Sequence, residues 1–452
     1  MTTGDAPRVG WLAVCPNRWL LLGTLGYVAL VLYLSLMPLN FQWLPWDVWL
    51  ERTLSMRYYG IPINGLADWH VLFLIPAGFL IASVVNAYSW GTWPAPAVAV
   101  VGFLGATVLA FGIEVLQIAV PMRTSSLSDV AAGAVGGALG AAIWWGAGRR
   151  LWNLVESATA GATGRRGLEA LLWIYLLLYA VLALFPFDFA LTPSALADVW
   201  EMGRRHWWMG ASCGAWSRCA GDLLLGLAAA LPLGILLALR LPGVRRGLAA
   251  SLLLGLAVGA LVEGAQLLTR SGVTEGVSVV IRGVGIVLGV KAYALLERRP
   301  ELLAAPGLRW WVWVLALPYL FLTAYLSGLL GAEWSVAAAV EQLERLRFLP
   351  FYYHNFVGQT EAASSVVLTV ALYIPVGVAV WCLRPRFTGR YWLGAGALAA
   401  GWALILEAGK LFAVGLRPDT TAVLIASCAG ALAYGLMRML AARFASFGGE
   451  AA

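Results

Sequence analysis

Charge is scarce in this chain: only 12% of its 452 residues are Asp, Glu, Lys or Arg, while 61% are hydrophobic. Histidine is scarcer still, at positions 70, 206 and 354 alone. That scatter argues against a zinc site, the five cysteines form no metal-ligand cluster, and no metal ligands are assigned. His-Glu-x-x-His, Gly-x-x-x-x-Gly-Lys-Ser/Thr and Gly-x-Ser-x-Gly are all missing. The missing phosphate loop excludes an ATP-driven pump for this chain alone, and no cofactor is expected. No basic run is interleaved with aromatics, so the net charge of +7 reads as membrane topology, not nucleic-acid binding. Nor does the first stretch carry a signal-peptide cleavage site, so its apolar run is expected to remain as a span. Cys213 and Cys219 lie in or beside one loop and admit either a disulfide or two free thiols.

What the chain has instead is apolar runs near twenty residues long, the length that crosses a bilayer core as a helix. Ten-residue alternating strands, which a barrel needs, are absent. The fold class is therefore an all-α polytopic membrane protein. Twelve spans are expected near 18–37, 68–88, 96–119, 127–147, 168–187, 220–240, 247–269, 273–296, 310–330, 364–383, 392–414 and 421–441. With the N-terminus inside, 17 of the 30 basic residues fall in inner segments or adjoining span ends, 10 in outer segments and three within spans. Both termini are thus expected in the cytoplasm. The 23 tryptophans suit a protein with many membrane interfaces.

Twelve spans divide into three parallel blocks of four, at 1–150, 165–297 and 309–445, joined by arginine-rich linkers at 148–167 and 297–309. Pro76-Ala77-Gly78 recurs as Pro232-Leu233-Gly234 and Pro375-Val376-Gly377. Glu114 recurs as Glu263 and Glu407, each in the outer part of its block's third span. Such near-equal offsets point to a triplicated unit.

The densest polar pattern runs from Glu114 to Gly140. Glu114 and Gln117 share a helix face, and Arg123, Ser125, Ser126, Ser128 and Asp129 crowd the turn that follows. Gly136 and Gly140 then open a small-residue face for close helix approach. On the expected topology Asp68, His70, Glu114, Gln117, Arg123, Ser126 and Asp129 gather near the outer surface. Carboxylates at membrane depth are costly unless paired or facing water, so they are candidate site residues. A polar cavity would let Glu114 or Asp129 hold a proton or cation, Arg123 engage phosphate or carboxylate, and His70 exchange protons. The competing view is that these groups lock helix ends together. That view is favoured for Gln117 and Ser126 and, as an interfacial anchor, for His70; Asp129 is left evenly between an N-cap and a site role. The counterparts are Glu263, Gln266 and Arg270 in block two and Glu407, Lys410 and Arg417 in block three, where Lys410 is placed to pair with Glu407. Either block one holds the working site or all three glutamates share one centre. Outer segments 188–218 and 331–363 are expected to hold short interfacial helices, serving as a headgroup platform or as a collar.

In order and spacing these elements resemble the VanZ-like family. The resemblance rests on Asp68 and His70 before Pro76 and Gly78, on Glu114 and Gln117, on Arg123, Ser126 and Asp129, and on Gly136 and Gly140. Met37-Pro38-Leu39, Phe185-Pro186-Phe187 and Leu349-Pro350-Phe351 add to it. The family often has Asn four residues after that Asp, where this chain has Gly133. Block one carries the resemblance best and block three least. It implies a protein of the bacterial cytoplasmic membrane associated with teicoplanin resistance, with no agreed reaction and no cofactor. The expected partners are membrane lipids and a lipid-linked envelope precursor or glycopeptide. The leading expectation is a non-enzymatic binding role in glycopeptide resistance or envelope assembly. A transporter or flippase for an amphiphilic substrate, and an intramembrane enzyme using Asp68, His70 and Glu114, are the alternatives.

Overall fold

The computed structural model describes the chain apart from residues 1–16, 61–68, 90, 160–164, 191, 202–204, 207–215, 273, 306, 386–388 and 450–452. In chain order its helices are α1 (Asn17–Ser35), α2 (Trp46–Leu54), α3 (Trp69–Tyr88), α4 (Ala95–Gln117), α5 (Leu127–Thr159), α6 (Arg165–Leu184), α7 (Pro193–Glu201) and α8 (Trp216–Arg240). There follow α9 (Pro242–Arg246), α10 (Leu248–Gln266), α11 (Gly276–Arg298), α12 (Leu308–Leu326), α13 (Val336–Arg345), α14 (Gln359–Leu383), α15 (Tyr391–Phe412) and α16 (Thr420–Gly449). Among the described residues, 12 helical segments are long and apolar enough to cross a membrane. Most of their ends fall within a turn of the expected ones. A two-residue parallel pairing of Arg205–His206 with Thr274–Glu275 is a small departure from an all-α chain.

One helix corrects the sequence reading. α5 runs 33 residues, well into the segment read as a linker. No proline or glycine interrupts the chain between Gly148 and Gly161. Trp152 also fastens the extension, stacking on Phe79 and donating from Nε1 to Ser83 Oγ at 3.1 Å.

By packing, the chain forms two compact units. One comprises Met1–Ala162, Glu169–Cys219 and Leu256–Ile281; the other comprises Thr163–Leu168, Ala220–Gly255 and Arg282–Ala452. In the first unit α5 packs on both α3 and α4, and α1 packs on α3. Leu74, Ala77, Ala106 and Ala110 form a buried cluster there, and Tyr27 Oη crosses from α1 to the Phe73 carbonyl at 2.8 Å. The second unit repeats that order of contacts. Its α16 packs on α14 and α15, α12 packs on α14, and Tyr319 Oη reaches the Leu372 carbonyl at 2.9 Å.

Small residues permit this closeness. A Cβ added at Gly78 would land on the carbonyl oxygen of Gly137, and one at Gly140 on that of Ile75. Backbone contact of this kind replaces side-chain interlocking where lipid supplies no hydrophobic driving force between helices. Gly234 meets the Ile286 carbonyl and Gly377 the Gly430 carbonyl in the same way.

Three short helices follow the first spans. α7 and α13 lie in the segments expected to hold interfacial helices, whereas α2 was not foreseen. Each leaves an apolar stripe uncovered: Trp46, Leu50 and Leu54 on α2, Leu196 and Trp200 on α7, Val336, Val340 and Leu343 on α13. Stripes at that spacing, opposite a charged face, suit helices lying in a membrane surface.

Candidate functional site

The site is built on the turn between α4 and α5. Ser126 directly precedes the first residue of α5, and its Oγ accepts the amide hydrogen of Asp129 at 3.1 Å. Ser126 is therefore the N-cap, a role the sequence reading offered to Asp129 as one of two alternatives. Ser126-x-x-Asp129 has the spacing of a capping box, in which the fourth residue would reach back to the first residue's amide. Here that amide is already taken, because Ser126 N–H donates to Glu114 Oε2 at 2.8 Å. Asp129 is released from the cap and faces His70 instead, with Oδ1 3.8 Å from Nδ1.

His70, in the first turn of α3, presents its other nitrogen to Glu114, with Nε2 3.6 Å from Oε1. It is not an anchor standing apart, as expected, but sits between two carboxylates. The three groups differ in access. The Glu114 side chain is 1% exposed, whereas His70 and Asp129 are 27% and 28% exposed. The cluster therefore grades from water to a buried acid over one imidazole.

The remaining residues brace it. Gln117 Nε2 donates to the Ser35 carbonyl at the end of α1, at 2.9 Å. Arg123 Nε donates to the Met37 carbonyl at 3.1 Å. Burial lowers the Arg123 guanidinium from its ordinary pKa, and the Glu114 carboxylate opposes that change. Gln117 and Ser126 each fasten a helix end through these bonds. Asp68 lies outside the described residues.

Contacts that the sequence did not suggest complete the turn. Ser125 Oγ donates to the Glu114 carbonyl at 2.7 Å, and Tyr59 N–H donates to Ser128 Oγ at 2.7 Å. Leu127 N–H donates to the Arg57 carbonyl and Gln42 N–H to the Ala119 carbonyl, so the segment after α1 straps the turn down. The Ser-Leu-Ser-Asp run before an apolar stretch was the available signal for the cap; the straps had none.

Residues 24–152 match the VanZ/LLP1 family model. This segment is similar to that family. It contains His70, Glu114, Gln117, Arg123, Ser126 and Asp129, while the segments read from the sequence as second and third blocks lie beyond it. Neither the curated proteins nor the solved structures include a match to the chain.

The glutamates read as counterparts, which lie beyond the matched segment, share one bond and differ in the rest. Glu263 Oε2 accepts from the Glu275 amide at 3.0 Å, and Glu407 Oε2 from the Asp419 amide at 2.8 Å. Each donor stands twelve residues after its glutamate, as Ser126 does after Glu114. Gln266 Nε2 reaches the Ala183 carbonyl at 2.9 Å, repeating the Gln117 contact, and Arg270 N–H donates to the Asp188 carbonyl. Lys410 Nζ does pair with Glu407 Oε1, at 2.7 Å. Arg417 lines a separate cavity of about 470 Å³ with Arg345, Arg347, Tyr352 and Tyr353. Nearby, His354 Nδ1 lies 3.6 Å from Asp419 Oδ2.

Proposed function

We propose that this multi-pass membrane protein binds a lipid-linked or surface component of the bacterial envelope at the His70–Glu114–Asp129 cluster. It would thereby contribute to teicoplanin resistance or envelope assembly from the cytoplasmic membrane. The observation that carries the reading is a buried carboxylate, held by the turn through one oxygen and facing an accessible imidazole through the other, inside the segment similar to the VanZ/LLP1 family. Burying such a charge at membrane depth is costly, and polar groups kept there mark functional sites by default. The twelve-residue step from Glu114, Glu263 and Glu407 supports three tandem repeats at 1–150, 165–297 and 309–445. On this reading block one works, and the other two have drifted towards scaffold.

The test compares wild type with Glu114→Gln, Glu263→Gln and Glu407→Gln in a matching null strain. Teicoplanin susceptibility is scored alongside the amount of protein in the membrane. Loss of protection in Glu114→Gln alone, at normal abundance, is the expected result. Loss in all three would favour one shared centre, and loss in none would remove Glu114 from the function.

A second reading, an intramembrane acid–base enzyme, gains from the same geometry. His70 lies within 4 Å of both Glu114 and Asp129 and could pass a proton between them during a reaction. Turnover of a lipid-linked precursor by the purified protein, abolished in His70→Gln, would move the assignment there.

A further inference from the structure

Glu114 leaves one atom unaccounted for by the turn and the helix packing. Oε2 accepts the Ser126 amide, but Oε1 is buried with no hydrogen-bond donor among the described residues. In block three the same carboxylate position is complete. Glu407 Oε2 accepts the Asp419 amide, and Oε1 meets the ammonium of Lys410 at 2.7 Å. There a resident cation stands on the second oxygen. The position three residues after Glu114 is Gln117, whose Nε2 is turned away to the Ser35 carbonyl.

Two further donors face the atom left over. His70, Glu114 and Asp129 each offer a ligand atom, and these atoms all lie within 4.8 Å of one another. We propose that His70, Glu114 and Asp129 form a binding site for one divalent transition-metal cation. An imidazole nitrogen with two carboxylate oxygens suits Zn²⁺ or Mn²⁺; Mg²⁺ and Ca²⁺ favour oxygen alone. Two carboxylates supply the charge that a dication neutralises, in surroundings where an uncompensated anion is costly.

Metal–ligand distances of about 2.0–2.2 Å bring donors to roughly 3–3.5 Å from each other, so the cluster must tighten on binding. His70 now shows Nε2 to Glu114 and Nδ1 to Asp129, and one ion takes a single nitrogen. Asp129, the more exposed carboxylate, is the ligand free to swing to Glu114's side of the ring. Three protein ligands leave a coordination position for water or for an anionic group of a bound partner. The inference rests on this cluster being the working site, and it adds the ion through which a phosphate or carboxylate partner would be held.

The full-length protein, purified in detergent with a tag that binds no metal and stripped with chelator, is titrated separately with Zn²⁺ and Mn²⁺ under excess Mg²⁺. One saturable ion per chain is expected, read by calorimetry and, for Mn²⁺, by electron paramagnetic resonance. His70→Gln and Asp129→Asn should each weaken binding about tenfold or more, and Glu407→Gln should leave it unchanged. Both altered side chains are partly exposed, and size-exclusion profiles check that the variants stay folded. Absence of saturable binding to wild type, or binding that persists in the His70→Gln/Asp129→Asn double variant, overturns the site. Loss of teicoplanin protection in Glu114→Gln without metal binding by wild type would sink this inference alone. Metal binding without any effect on protection would sink the proposed function alone.

Discussion

Ser126 shows how one residue can serve two groups at once: its hydroxyl caps α5 and its amide holds Glu114. The two roles separate on substitution. Ser126→Ala removes only the cap and should cost about 1 kcal/mol, leaving the carboxylate in place. Ser126→Pro removes the amide donor and leaves Glu114 with neither oxygen hydrogen-bonded, so a markedly larger fall is expected. Thermal aggregation of the detergent-solubilised protein compares the two, and equal losses would show that the amide bond to Glu114 carries no weight. Gln117→Leu makes a third case. It strips the half-buried Ser35 carbonyl of its side-chain donor and should cost about 1 kcal/mol, the typical net worth of such a bond. At this scale the sequence was half legible. Glu114 stood out because a carboxylate in an apolar run is conspicuous whatever surrounds it. His70 was undervalued because its place depends on the register of α3 against α4, which no local pattern encodes. Asp129 was left open between cap and cluster because the competition for the Ser126 amide comes from another helix.

Among elements, α3 and α5 are fitted backbone to backbone. Gly140→Ala forces a methyl onto the Ile75 carbonyl and should cost about 1–3 kcal/mol, as overpacking does. Gly146→Ala, six residues further along the same helix, meets nothing within 4 Å and should be neutral or slightly stabilising. Heating the two variants side by side in detergent decides the matter; equal stability would mean that α3 and α5 are not in backbone contact. The spans themselves were plain from hydropathy, since twenty apolar residues leave little choice in lipid. The nine-residue α2 was not, because it is short and carries Asp47, Glu51 and Arg52. Its apolar stripe becomes visible only once the flanking chain folds away from it. Brominated lipids labelled near the headgroups should quench Trp46 and Trp200 more than Trp144, which is buried. Equal quenching would remove α2 and α7 from the membrane surface.

For the whole molecule, the distribution of arginine predicts that both termini face the cytoplasm. Fusions at the C-terminus settle this: a reporter active only inside the cell should work, and one active only outside should not. The opposite pattern would place the His70 cluster on the inner face and remove any direct contact with an external glycopeptide. The sequence speaks to orientation only through a charge count, because no single residue fixes it. Proline and glutamate spacing is what suggested a threefold pattern. What the spacing could not convey is that the glutamates keep one bond and exchange the partner of the other oxygen, His70 in one block and Lys410 in another.

The twelve-residue step also governs how the chain can be made. Glu114 and the Ser126 amide belong to one hairpin, so the pair emerges from the ribosome almost together and can enter the bilayer already joined. The bond from Gln266 to the Ala183 carbonyl spans 83 residues and must wait for several more helices to be delivered. Biogenesis therefore meets its most expensive charge early, with the remedy encoded next door, and leaves the neutral fastenings until last.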